Sequence, residues 1–168
     1  MKTIQFRNPR RAPLLILLSI LVFASTQCHK VDTSNPIKVD WSTLDCNAQN
    51  GADIFAKYVE IEGHLHAPGI LLCSSKECQI DLYQPGLGQE AKNVLVMIPV
   101  AEAAQPNSLR KLPSQYESTD FLVWDESSKE IGHNQMATLY GELVRESTPS
   151  GNYNCKLQKP IRIIKKEG

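Results

Sequence analysis

Lys57 to Tyr83 reads KYVEIEGHLHAPGILLCSSKECQIDLY. Val59, Ile61, Gly63 and Leu65 fall on one side of an extended chain, and Tyr58, Glu60, Glu62, His64 and His66 on the other. That two-residue period is the signature of a half-buried strand. Ala67-Pro68-Gly69 turns the chain, and the C-x-x-x-x-C segment from Cys73 to Cys78 turns it again. Ile70 to Cys73 and Cys78 to Tyr83 form the next strand segments, with Cys78, Ile80 and Leu82 inward. A glycine in mid-strand, here Gly63, marks a bulge, a sharp bend or a close backbone approach.

Downstream, Val94 to Val100 (VLVMIPV) is apolar on both faces and reads as a central strand whose pairing Pro99 should end. Residues 101 to 118 hold Pro106, Pro113 and a start signal at Asn107 and Ser108, with room for one short helix. Phe121 to Trp124 is a short strand, and Glu126 to Lys129 a polar turn. Met136 to Arg145 then repeats the opening code, with Ala137, Leu139, Gly141 and Leu143 in the places of Val59, Ile61, Gly63 and Leu65. Cys155 to Ile164 is the last strand, after a turn at Ser150-Gly151-Asn152. Before the meander, residues 29 to 51 are polar, with Trp41 and Leu44 as apolar anchors, and Ala52 to Lys57 makes a short helical lead-in.

These elements predict an all-β fold with minor α content, a closed barrel of five or six strands whose first and fourth main strands bend at glycine. An eight-strand sandwich is the alternative. The segments AKYVEIEGHL (56–65), ATLYGELV (137–144) and KLQKPIRII (156–164) resemble the OB-fold, and more specifically the tRNA-anti-like OB domains of bacterial envelope proteins. The resemblance covers residues 52–165, which are expected to form one domain. Residues 28–51 would be tether and lead-in, and 166–168 a tail.

The N-terminus reads as an address. Lys2, Arg7, Arg10 and Arg11 precede an apolar run from Leu14 to Phe23, broken only by Ser19. A spanning helix needs roughly 20 apolar residues, so residues 1–27 fit an export signal. Two cleavages compete. Val22 and Ala24 suit an ordinary cut after Ala24, giving a secreted protein. Ser25-Thr26-Gln27-Cys28 resembles the lipobox of bacterial lipoproteins, which would make Cys28 a lipidated terminus. Cysteine parity favours the second: with Cys28 in a thioether, Cys46, Cys73, Cys78 and Cys155 remain as an even set for an oxidising envelope compartment. Four of the 18 basic residues lie in the leader, leaving 14 against 18 acidic ones. A mildly acidic mature chain does not favour nucleic acid or anionic lipid as a partner.

Cys73 and Cys78 would face each other across a hairpin, which leaves Cys46 to pair with Cys155. A redox motif wants C-x-x-C, and structural zinc favours two short-spaced ligand pairs; neither is present. His64 and His66, with Glu60 and Glu62 on the same strand face, are the candidate ligands for a divalent metal, against a plain solvated face as the alternative. The OB resemblance implies a binder of single-stranded nucleic acid or oligosaccharide. Tyr58, Tyr83 and Tyr140 would supply aromatic platforms, and Lys159, Arg162, Lys165 and Lys166 the positive charge. Glu60, Glu62, Asp81 and Glu142 on adjacent outer positions oppose phosphate. No G-x-S-x-G, H-E-x-x-H or phosphate-loop motif occurs. The expectation is therefore an exported, lipid-anchored, non-catalytic binding or scaffold module, with the membrane as one partner through Cys28 and an envelope protein or glycan as another.

Overall fold

The computed structural model describes residues 30–48, 52–86 and 91–167; the leader, both cleavage points and Cys28 lie outside the described residues. Ten strands occur in chain order: β1 Ile37–Lys38, β2 Lys57–His66, β3 Leu72–Cys73, β4 Glu77–Tyr83, β5 Asn93–Ala101, β6 Ser108–Arg110, β7 Leu122–Trp124, β8 Glu130–Gly132, β9 Met136–Ser147 and β10 Tyr153–Lys165. Short 3-10 turns span Ala52–Ile54 and Ser118–Asp120. The protein is all-β, and no α-helix occurs among the described residues.

Five of the strands close a hydrogen-bonded ring. β2 lies antiparallel to β9 from Lys57↔Leu143 to His64↔Met136, and β9 lies antiparallel to β10. β10 runs parallel to β5 at Lys156↔Leu95 and Leu157↔Val96. β5 is antiparallel to β4 from Asn93↔Tyr83 to Pro99↔Glu77, and β4 returns to β2 between His64↔Tyr83 and His66↔Asp81. The alternating residues predicted to share the inward faces of β2, β4 and β9 do so: Val59, Ile61, Leu65, Ile80, Leu82, Leu139 and Leu143 are essentially inaccessible, and Val94, Val96 and Ile98 of β5 and Leu157 of β10 join them. Burial of apolar surface at roughly 25 cal/mol per Å² is the main force holding this interior together.

The β2–β4 seam is short, and the lead-in fills the space beside it. β1 pairs in parallel with β2 at Ile37↔Val59. The Trp41 indole donates to the Glu62 carbonyl at 2.6 Å. Val39, Trp41 and Leu44 join the core. Lys92 Nζ donates to the carbonyls of Trp41 and Leu44, each at 2.9 Å. Packing therefore extends upstream of Ala52 to this plug, which the Cys46–Cys155 disulfide fastens to β10 with a Cα–Cα distance of 5.3 Å. The second disulfide joins Cys73 to Cys78, directly opposed across β3 and β4 at a Cα–Cα distance of 4.0 Å.

Two expectations fail for physical reasons. No helix forms between residues 101 and 118. Leu109 and Leu112 are the only large aliphatics there, too few for an apolar helix face. The unpaired end of β5 instead recruits β6 in parallel at Val100↔Leu109, and β7 pairs with the other edge of β6. Nor does Pro99 end the pairing of β5, since it stays opposite Glu77 and the strand runs on to Ala101. Successive N–H groups on a strand point to opposite neighbours. The Val100 N–H donates toward β4, to the Lys76 carbonyl at 2.9 Å. The donor that Pro99 lacks would therefore face the β10 side, where the parallel pairing has already ended at Val96↔Leu157.

The glycines of the repeated code mark close approaches. A Cβ at Gly63 would lie 2.5 Å from the Tyr83 carbonyl oxygen and 2.9 Å from Leu82 Cγ. One at Gly141 would lie 2.7 Å from Ile161 Cδ1 and 3.1 Å from the Gln158 carbonyl oxygen. The second contact sits at the irregularity of β10 between Gln158 and Arg162. Because a side-chain tip yields more easily than a backbone carbonyl, Gly63→Ala is expected to destabilise by about 3 kcal/mol and Gly141→Ala by about 1 kcal/mol. Urea unfolding midpoints of the two variants check that order. The same assay on Cys46→Ala/Cys155→Ala and Cys73→Ala/Cys78→Ala is expected to show losses of about 5 and about 2 kcal/mol, from the lengths of the loops each bridge closes.

Candidate binding surfaces

The outer face of β2 is divided between two neighbours, and this division separates the predicted metal ligands. Glu62 forms an ion pair with Lys166 at 3.0 Å, and Glu60 lies directly opposite Tyr140 across β2 and β9. His64 Nδ1 lies 3.1 Å from the Asn134 carbonyl, which only a protonated ring nitrogen can satisfy. The His66 ring centroid is 4.2 Å from that of His133 and 4.8 Å from that of Tyr83. No group of three His, Cys, Asp or Glu side chains converges among the described residues. The four side chains share a strand face in sequence, but their tips turn to different partners.

His133 was not singled out by the sequence, because it sits in the turn after β8 with no local pattern around it. It caps a latch between that turn and the end of β2. Leu65 N–H donates to the Gln135 carbonyl at 3.0 Å, and Asn134 N–H to the Leu65 carbonyl at 2.7 Å. The Ala67 N–H donates to His133 Nδ1 at 3.1 Å, so that nitrogen must be unprotonated. Burial first, and then the neighbouring His66, hold the His133 pKa below its usual value. Beside this pair, burial raises the Asp81 pKa, an effect opposed by the Asn93 amide and by His66. Phe121 meets His133 edge-on at 6.3 Å.

The aromatic and basic groups on the face of β2, β9 and β10 satisfy one another. Tyr58 and Tyr140 stack with centroids 6.4 Å apart. Arg162 lies over the Tyr140 ring at 5.0 Å and is paired with Glu126 through two hydrogen bonds. Lys165 Nζ donates to the Glu130 carbonyl, Lys166 pairs with Glu62, and Lys159 pairs with Glu77. Every cation named for this face has a partner, so the face as it stands offers little free positive charge to phosphate.

An apolar concavity lies elsewhere, against the C-terminal end of β5. A groove of about 740 Å³ runs between the loop through β3 and the segment after β6. Ile70, Leu71, Val100, Leu112, Pro113 and Tyr116 line it, and the Cys73–Cys78 bridge borders it. The Tyr116 hydroxyl donates to the Pro68 carbonyl at 2.6 Å, tying the two walls together. A Lys111–Glu102 ion pair of 2.8 Å stands at its rim. Ile70 and Leu72 are 80% and 62% exposed, the two most exposed large hydrophobics among the described residues. A second hollow of about 710 Å³ lies beside the same end of β5, lined by Lys30, Val31, Pro99, Pro106, Lys159 and Pro160 among others. In the sequence, Ile70-Leu71-Leu72 resembles an ordinary strand; the groove exists only because residues 111–116 come back against it.

The latch makes stability depend on pH with a definite sign. A depressed folded-state pKa means that the neutral imidazole is favoured by folding, so the contribution of His133 is complete above about 6.5 and is lost as pH falls through the folded value. Asp81 acts oppositely, in the lower window just above the usual carboxylate range, where folding favours its protonated form. Urea midpoints are therefore expected to fall from pH 7 toward pH 5 in the parent protein and to stay nearly level in His133→Gln.

No family model matches the chain, and neither a curated protein nor a solved structure matches it.

Proposed function

We propose that this chain is an exported, lipid-anchored, non-catalytic binding module of a bacterial cell envelope, built on an OB-like barrel and acting through the apolar groove at the end of β5. The connectivity supports the barrel assignment. The first ring strand, β2, lies between the second and the fourth, and the third lies parallel to the fifth, which is the arrangement of a five-stranded Greek-key OB barrel. The basic and apolar pattern of residues 2–23 supports export, as do two disulfides that suit an oxidising compartment. The pairing of Cys46 with Cys155 and Cys73 with Cys78 leaves Cys28 as the odd cysteine, the position the lipobox resemblance assigns to the lipid.

The observation that carries a binding role is the groove itself. It is apolar, has a polar rim and is cross-tied by a hydrogen bond and a disulfide, features typical of preformed ligand sites. Its lining favours a ligand with an apolar surface over a nucleic acid.

Two measurements on the natively produced protein test the reading. Intact mass is expected to show an acyl increment on Cys28 and, on reduction, a gain of four hydrogens from the two bridges. An unmodified terminus at Ser25 would remove the anchor. An apolar fluorescent probe such as anilinonaphthalene sulfonate is expected to bind the parent protein and to lose most of that binding in Leu112→Asp. Equal binding by both would take the groove out of the proposal.

A further inference from the structure

We infer that the groove end of the ring is a bilayer-docking surface, with Ile70 and Leu72 entering the interface of the membrane in which the chain is anchored. The inference rests on the anchoring proposed above and specifies the partner of the same groove. Its first support is the path of the chain. Lys30 and Val31 already line the hollow beside Pro99 and Pro160, and Cys28 stands only two residues before Lys30. Two extended residues reach about 7 Å. An acyl chain on Cys28, or an apolar leader left in place, would therefore hold the hollow against the headgroups. Residues 28–51 then do not act as a long tether, since the folded body takes them up almost at once.

The second support is what this end exposes. Pro99 lines the hollow and the next residue, Val100, lines the groove, so the two concavities flank the same strand terminus. The Lys159–Glu77 ion pair links the segment under the hollow to the start of β4, beside the stapled hairpin. Ile70 and Leu72 project from that hairpin with most of their surface in solvent. Lys76, in the turn between β3 and β4, and Lys30, at the hollow, are exposed, and neither has a carboxylate partner among the described ion pairs. Apolar tips flanked by free cations suit an interface of acyl chains and anionic headgroups. Two aliphatic side chains are a weak anchor alone; beside a lipidated terminus they fix which end of the molecule faces the bilayer.

The test uses the full chain, produced with its own leader and reconstituted into vesicles of phosphatidylethanolamine and phosphatidylglycerol. Two variants are compared, Ile70→Trp and, at the far end of β10, Tyr153→Trp; the native Trp41 and Trp124 are 7% and 6% exposed and give a constant background. The protein is expected to float with the vesicles. The Ile70→Trp indole is expected to shift to the blue and lose intensity to nitroxide-labelled lipid, while the Tyr153→Trp indole does neither. If the protein floats but the Ile70→Trp emission stays as it is in water, the docking surface is overturned and the anchor stands. Shielding of that indole only on addition of another protein would also overturn it, in favour of a protein partner. If the chain does not float, the anchor fails and this inference fails with it.

Discussion

The ring depends on one close approach. β4 closes onto β2 along a seam of only three residue pairs, and where that seam begins, beside its first pair, the Tyr83 carbonyl occupies the place where a side chain on residue 63 would begin. With no Cβ at Gly63, β2 can carry β9 on one edge along most of its length and still accept β4 on the other near its end. The same economy of space recurs where β9 passes the irregular part of β10 at Gly141. A strand that takes part in both halves of a small closed sheet must coil strongly, and removing a side chain at the tightest point is the simplest way to allow it.

A seam this short leaves a flank that the strands themselves do not cover, and the lead-in is the remedy. β1 pairs with β2 upstream of the seam, Trp41 anchors to the Glu62 carbonyl, and Leu44 is almost fully buried. The carbonyls left over in this plug are satisfied by Lys92, whose ammonium donates to two of them. Backbone acceptors buried without partners are costly, so a cation placed beside two turn carbonyls helps to make the plug tolerable there. The Cys46–Cys155 bridge then prevents the plug from fraying independently of the ring.

Much of this was legible in the sequence, for reasons that can be named. Period-two alternation is local, so the inward faces of β2, β4 and β9 could be read residue by residue. Glycine at the same place in two matching strands announced that something passes close by, although not which atom. Segment 101–118 misled because Pro106, Asn107 and Ser108 resemble a helix start, and the deciding fact, an unpaired β5 end needing a neighbour, is non-local. Pro99 misled because a missing N–H matters only on the side where a ladder continues. The sites were less legible than the fold. Sharing a strand face places Glu60, Glu62, His64 and His66 together in register, yet side-chain tips go where the neighbouring strand supplies a partner, and those partners lie dozens of residues away. His133 and the wall at Leu112 to Tyr116 carry no local signal at all.

The two ends of the ring are built to different ends of the stability scale. At the plug end a disulfide closes a loop of more than a hundred residues, the kind of bridge that restricts the unfolded chain most. At the groove end the bridge closes a loop of five-residue separation, which does little to the unfolded ensemble. Its effect is local. A two-stranded tip bearing Ile70 and Leu72 would otherwise be free to splay or to fold its aliphatic side chains back over Val100 and Leu112, since short hairpins hold poorly on their own. Cross-linking β3 to β4 at the pair nearest the turn, with the Tyr116 hydroxyl holding Pro68 from the other side, keeps the apolar side chains outward and the groove open. Rigidity spent on exposing hydrophobic surface has no use in the folding of the chain itself. It makes physical sense where that surface meets something apolar.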